Sequence, residues 1–203
     1  MNQKKLFFIF AILFISFQSF SQGIKVGVKG DLTYSRISGD GMGVGYQPGF
    51  NAGAFAEIAI KDKWSVQPEL LFSQRNIRIG NFKEYFASST SQYPGKFAYL
   101  SYVALPVSVK YQLKKNLNVN LGIQYSYMVH ADETMLANKD AAFKKNDFGA
   151  LAGLEYAPYS WLRFYGRYYR SVYDINNIND LHTWYMTQFQ IGAGYVIFHS
   201  KKK

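Results

Sequence analysis

The stretch "SYVALPVSVKYQL", residues 101–113, decides the fold. Val103, Leu105, Val107, Val109, Tyr111 and Leu113 occupy every second position, and Ala104, Pro106, Ser108 and Lys110 fall between them. A side-chain period of two is that of a β-strand with one apolar face. Pro106 stands in the middle of it with no N–H to give to a ladder. The alternation passes through the proline without losing phase, so no residue is inserted there and a simple bulge does not account for it. Pro106 is expected on the polar, inward face, with the freed carbonyl of the neighbouring strand meeting water or a polar interior group. Pro68 lies in the preceding strand pattern on the outward set. The third and fourth strands are therefore expected to share one loosened seam.

The same period recurs in seven other segments: 23–37, 49–61, 64–75, 117–129, 147–157, 162–170 and 187–198. In the first, Ile24, Val26, Val28, Gly30, Leu32 and Tyr34 oppose Lys25, Gly27, Lys29, Asp31, Thr33 and Ser35. In the fifth, Leu117, Val119, Leu121, Ile123, Tyr125, Tyr127 and Val129 oppose Asn118, Asn120, Gly122, Gln124 and Ser126. Phe55 and Ala59 are apolar exceptions on the polar face of the second. The connections alternate in length: "KDK", "KKN" and "PYS" are turns of about three residues, and the others are too long and polar for tight hairpins. An even number of strands with tight turns at one end and long loops at the other marks an up-and-down meander. The expected fold is all-β: an eight-stranded antiparallel up-and-down transmembrane β-barrel with three short periplasmic turns and four longer external loops.

Alternation alone leaves two barrels open. A soluble lipocalin-type barrel turns its apolar face inward, and a membrane barrel turns it outward to lipid. The second is favoured because the apolar face runs through all eight strands without a charge, whereas the polar face carries both signs. Aromatic residues gather at the strand ends: Trp64, Tyr111, Tyr156 and Trp161 by the short turns, and Tyr34, Phe50, Tyr99, Tyr125, Tyr168 and Trp184 towards the long loops. Two such belts are what bilayer interfaces select.

The N-terminal 21 residues read differently. Lys4 and Lys5 precede an apolar run from Leu6 to Phe17, and Ser19 and Ser21 supply small residues at the positions a signal peptidase reads. The run is shorter than the roughly 20 residues a spanning helix needs. Residues 1–21 are expected to be a cleaved signal peptide and residues 22–203 the barrel domain. The formal net charge of +10 includes the two lysines of that leader, leaving +8. For an exported chain this basic balance does not point to nucleic acid. The lysine clusters at 61–63, 114–116, 144–147 and 201–203 read as solvated turns and tail, with attraction to anionic lipid headgroups as the alternative. There is no cysteine, so neither disulfides nor thiol chemistry operate.

The phrases "VQPELLFSQR" (66–75), "YVALPVSVKYQL" (102–113), "NVNLGIQYSYMV" (118–129), "DFGALAGLEY" (147–156) and "RYYRSVYDINN" (167–177) together resemble the PorT-type outer-membrane β-barrel proteins of the Bacteroidetes. Their order spans nearly the whole chain after residue 21. The resemblance implies an outer-membrane barrel and, through the family's namesake, a link to protein secretion. It brings no catalytic residues. The last strand, "QIGAGYVI", places Gln190, Gly192, Tyr195 and Ile197 in a pattern that resembles the terminal-strand signal read by the outer-membrane assembly machinery.

Inward charges must be paired to be tolerated. Glu57, Glu69 and Glu155 are expected to pair with Lys110, Arg163 and Arg167, forming a structural plug rather than a conducting path, since eight strands leave an interior that side chains just fill. His130, His182 and His199, with Asp132, Glu133 and Asp180, are the residues from which a loop-borne lipid or peptide hydrolase would be built, but no serine or acid stands at a diagnostic spacing. The glycine-rich "GDGMGVGYQPG" (39–49) lacks a phosphate-loop ending and reads as a loop. The loop at 76–98 mixes aromatic, basic and hydroxyl side chains and is the first place to look for an external ligand. The expected protein is non-enzymatic, without catalytic, cofactor-binding or metal-binding residues, and monomeric. Its external loops would engage lipopolysaccharide, surface partners or secretion components. A narrow channel or small-molecule-binding barrel is the alternative.

Overall fold

A computed structural model describes residues 23–39, 42–78, 97–131, 143–177 and 182–200. Eight strands follow one another: β1 Ile24–Ser38, β2 Gln47–Lys61, β3 Trp64–Arg78, β4 Phe97–Lys114, β5 Leu117–Ala131, β6 Asn146–Tyr156, β7 Leu162–Ser171 and β8 Tyr185–His199. Each pairs antiparallel with its neighbours in sequence, and β1 pairs with β8, so the sheet closes into a barrel without an edge. Closure satisfies a spanning sheet's backbone groups internally, which lipid cannot do. Among the described residues no helix is long and apolar enough to cross a membrane.

The orientation is that of a membrane barrel. Leu32, Leu105, Ile123, Leu154, Ile191 and Ile197 are exposed on the outer wall, and Lys29, Glu69, Arg75, Lys110, Glu155 and Arg167 are buried inside. In water that exterior would be an uninterrupted apolar patch; in lipid it is the required surface. Trp64 packs on Tyr111 (ring centroids 4.6 Å apart) and Trp161 on Tyr195 (5.7 Å) at the short-turn end, where the expected belt lies. Trp184 departs from the other belt. It lies just ahead of β8, 2% exposed, and its ring turns over the barrel mouth against Phe143 (5.5 Å) instead of out to the interface.

The outer ends of several strands run further than the alternation of apolar residues. Gln47–Gly49 belong to β2, through Ser35↔Gln47 and Tyr34↔Pro48, so the glycine-rich loop ends earlier than expected. Asn76–Arg78 and Phe97–Ala98 likewise extend β3 and β4, through Ile77↔Ala98 and Arg78↔Phe97. Hydrogen-bonded pairing continues there beyond the lipid-facing band, where no apolar alternation is needed. Residues 79–96, the rest of the long second loop, lie outside the described residues, as do residues 1–22.

Pro106 faces inward, buried, with Ala104, Ser108 and Lys110. The β3–β4 register runs through Gln67↔Ser108 and Pro68↔Val107 and resumes in the same phase at Leu71↔Ala104. The pairs Glu69/Pro106 and Leu70/Leu105 are missing from it. On its other side Pro106 keeps its pairing with Gln124 of β5. The β3–β4 gap is two residue pairs long and contains Pro106. Pro68 keeps its pairing with Val107 and instead sits in a second gap, between β2 and β3, where Ala56/Pro68 and Glu57/Gln67 are missing, so the two prolines do not share one seam.

Candidate functional site: the barrel interior

Period-two alternation sends one set of side chains from every strand into a lumen narrow enough to bring all eight strands within side-chain reach. Those side chains form four levels. Next to the short turns, Glu57 of β2 and Glu155 of β6 share their cations. Lys110 of β4 bonds Glu57 at 2.7 Å and also pairs with Glu155. Arg163 of β7 bonds Glu155 at 3.1 Å and also pairs with Glu57. Lys25 reaches Glu57 at 3.2 Å, Lys110 donates to Gln67 Oε1 at 3.1 Å, and Asn118 donates to Glu155 at 3.2 Å.

One level further out, Glu69 meets Lys29 at Oε2 (2.8 Å) and Arg167 at Oε1 (2.7 Å), and Gln67 also donates to Oε1 (2.7 Å). Asp31 accepts from Tyr165 OH at 2.7 Å and from Asn51 at 2.8 Å, and the Lys29 ammonium lies 3.9 Å from the Tyr165 ring centre. Room for this level depends on glycine. A Cβ on Gly153 would stand 2.7 Å from Arg167 Cγ and 3.0 Å from its Cα.

The third level is one ion pair. Arg75 of β3 and Asp147 of β6 meet at 2.6 Å with both side chains 0% exposed. Arg75 also donates to Ser126 Oγ (2.7 Å) and Ser73 Oγ (3.2 Å), and its guanidinium lies 4.2 Å from the Tyr102 ring centre. Asp147 accepts from Tyr169 OH (2.9 Å) and Ser171 Oγ (2.6 Å) as well.

Above it the lumen turns apolar. Ile37, Ile77, Leu100, Met128, Phe143, Leu151, Ile175, Trp184 and Met186 form a buried cluster across the loop end, joined by the rings of Tyr102 and Tyr169. The backbone around it is knitted together: Lys144 N–H donates to Ile175 O (2.8 Å), Ile175 N–H to Trp184 O (3.0 Å), and Phe143 bridges Asn176. Asp174 fastens the knot, accepting from Trp184 N–H (2.8 Å), Asn176 N–H (3.0 Å) and Lys144 (3.3 Å). Partial burial works against the Asp174 charge, but those two N–H groups and the ammonium outweigh it and hold the carboxyl below its ordinary value.

The structure thus brings Glu57, Lys110, Glu155 and Arg163 into one network and puts Glu69 with Arg167 in the next. The alternation pattern missed the Arg75–Asp147 pair as a unit and the tyrosines that line its level. Arg75 ends one expected strand and Asp147 begins another, where strand and loop cannot be told apart by pattern. Gln190 and Gly192 of the terminal strand face the lumen side, and Tyr195 and Ile197 face outward. His130 lies at the loop end of β5 and His199 at the opposite end of β8, beside Lys25, so they cannot serve one site. Asp132, Glu133 and Asp180 lie outside the described residues. Among the described residues no group of His, Asp and Glu is arranged to hold a metal.

A closed eight-stranded barrel with a lipid-facing exterior and a lumen filled by ion pairs defines an integral outer-membrane barrel protein. The chain belongs to the outer membrane protein beta-barrel domain family, whose pattern matches residues 17–177. Solved structures that share the fold include those of Ail and Neisserial surface protein A. Ail, the attachment invasion locus protein of Yersinia pestis, in complex with the heparin analogue sucrose octasulfate, is 14% identical, with 87% of this chain and 99% of that chain covered and a TM-score of 0.50. Neisserial surface protein A is 15% identical, with 84% and 96% covered and a TM-score of 0.52. No curated protein matches the sequence.

Proposed function

We propose that this protein is a non-enzymatic barrel that anchors its outer loops in the membrane and presents them to anionic lipopolysaccharide or to a surface or secretion partner. The observation that carries the reading is the filled lumen. Three charged levels and an apolar cluster occupy it from the short turns to the loop end. Transport through such an interior would require separating buried ion pairs, which is costly. Function then falls to the outer rim.

That rim is basic. Arg36, Arg78 and Arg170 stand at the outer ends of β1, β3 and β7, and Lys144 lies beside Tyr173. Arg36 also lies over the Tyr46 ring (5.4 Å). Guanidinium groups at headgroup height suit phosphate. The polysulfate bound to Ail is a precedent for an anionic ligand on this fold. The PorT-type resemblance supports the secretion branch, and the terminal-strand pattern of Gln190, Gly192, Tyr195 and Ile197 supports delivery by the outer-membrane assembly machinery after removal of a signal peptide.

Crosslinking and pull-down from native outer membranes tests the reading. Recovery of lipopolysaccharide or of a distinct surface or secretion protein, lost when Arg36, Arg78 and Arg170 are changed to Gln or when loop 79–96 is deleted, supports it. Steady open conductance of the purified barrel in planar bilayers would contradict it and favour a channel.

A further inference from the structure

The charge inside the barrel is balanced at two levels and unbalanced at the third. Arg75 meets Asp147, and Lys29 and Arg167 meet Asp31 and Glu69, so both outer levels are neutral. At the short-turn end the lumen widens into an open cavity of about 390 Å³. Lys25, Lys63 and Lys115 stand around its mouth, and Lys110 and Arg163 form its floor. Against these five cations stand three carboxylates: Glu57, Asp62 and Glu155, the last beneath the floor and paired with Lys110 and Arg163. Lys25, Lys110 and Arg163 against Glu57 and Glu155 leave one positive charge in excess in the interior level, and the exposed turn residues Lys63 and Lys115 against Asp62 add a second at the mouth. A concave site with low-dielectric walls focuses such an excess on whatever enters it.

We propose that this vestibule binds a phosphate monoester. At neutral pH that group carries about −1.5 to −2 charges and three acceptor oxygens, which matches the excess charge and the mixture of one guanidinium with several ammonium groups. The cavity has room for a small organic portion beside the phosphate. The site opens at the end of the barrel opposite the long loops, so it is separate from the proposed rim activity and does not depend on it. The monoester can come from two sources: a free phosphorylated metabolite or the headgroup of phosphatidic acid in the adjacent leaflet.

The test uses the full barrel folded in neutral detergent or phosphatidylcholine bilayers, with folding verified by heat-modifiable gel migration. Glycerol 3-phosphate is titrated by calorimetry at constant ionic strength, and in parallel spin-labelled phosphatidic acid is compared with labelled phosphatidylcholine. The paired variant Lys63→Gln/Lys115→Gln changes exposed turn positions, and Lys25→Gln is a second variant at the mouth. Saturable binding of glycerol 3-phosphate that weakens at least tenfold in either variant supports the site with a free ligand. Selective retention of phosphatidic acid, lost in the same variants, supports it with a lipid ligand. Absence of both, or binding that the variants leave unchanged while Arg36→Gln at the far rim weakens it, overturns the proposal.

Discussion

Asp147→Asn should be among the most damaging isosteric changes in the molecule. The substitution keeps the volume and removes the counter-charge of a guanidinium that is 0% exposed. Three donors converge on the carboxylate: Arg75 at 2.6 Å, Tyr169 OH at 2.9 Å and Ser171 Oγ at 2.6 Å. Hydrogen bonds to a charged group contribute about 1.5–3 kcal/mol each, and removing one member of a buried pair costs about 3–5 kcal/mol. The asparagine oxygen still accepts from one or two of the donors, which places the loss at about 4 kcal/mol within that range. With a urea slope of about 2 kcal/mol/M the midpoint falls by about 2 M. Equilibrium urea unfolding in lipid vesicles, followed by tryptophan fluorescence, measures it. The double variant Arg75→Met/Asp147→Asn removes both charges and should be more stable than the two single losses sum to, by about 2 kcal/mol. A single variant within about 1 kcal/mol of the parent, or a strictly additive double, would refute the reasoning. The half-exposed Lys144–Asp174 pair supplies the contrast: surface pairs contribute about 0–1 kcal/mol.

Gly153→Ala should lower the unfolding free energy by about 1–3 kcal/mol through overpacking, because the new Cβ would run into the Gly166 backbone oxygen and stand 2.7 Å from Arg167 Cγ; a neutral effect in the same urea assay would mean that the β7 backbone and Arg167 both have room to shift. The β3–β4 seam at Glu69–Leu70 and Leu105–Pro106 should exchange amide hydrogens before the paired flanks at 71–74 and 101–104, and Pro106→Ala should slow that exchange; uniform protection along both strands would show that the missing pairs leave no weakness. Asp174 gives a pH effect with a defined sign. Its carboxyl is held below the ordinary value of 3.8, so its contribution is fully present above that value and disappears as pH falls through the lower folded one. The loop-end knot should loosen below about pH 4, seen as exposure of Trp184 to an aqueous quencher, and Asp174→Asn should abolish the pH step; quenching independent of pH would remove Asp174 from this role.

Much of the architecture was legible because a membrane barrel writes its wall in alternating letters. "SYVALPVSVKYQL" keeps phase through Pro106, and the structure keeps the same phase across the two missing pairs. The pairing of Lys110 with Glu57 and Glu155 was equally approachable, since these residues are charged members of the inward, polar set of their strands. The alternation could not reveal the loop-end cluster. Leu100, Ser101 and Tyr102 are consecutive buried residues beside a register shift with β5, so the period of two fails there. Phe143, Ile175 and Trp184 belong to connections whose path is set by tertiary packing, and no local periodicity marks them. Its aromatic ring next to a strand end marks Trp184 as an interface residue, whereas the turn that holds it carries it inward.

The order of the levels has its own logic. A charged level is tolerable in a narrow lumen only when its partners are held from several strands at once, because a pair on one strand could not satisfy every donor and acceptor. Glu57, Lys110, Glu155 and Arg163 come from four strands, so the network ties β2, β4, β6 and β7 together across the barrel. Arg75 and Asp147 tie β3 to β6 two stages higher. Beyond that stage the connections lengthen and fewer strands can supply rigid partners. Apolar packing, which does not demand exact donors, replaces ion pairing as the means of closing the lumen. The opposite end needs no such closure because its turns are short and fixed. An opening can persist there without loosening the wall, and cations outnumber carboxylates around it.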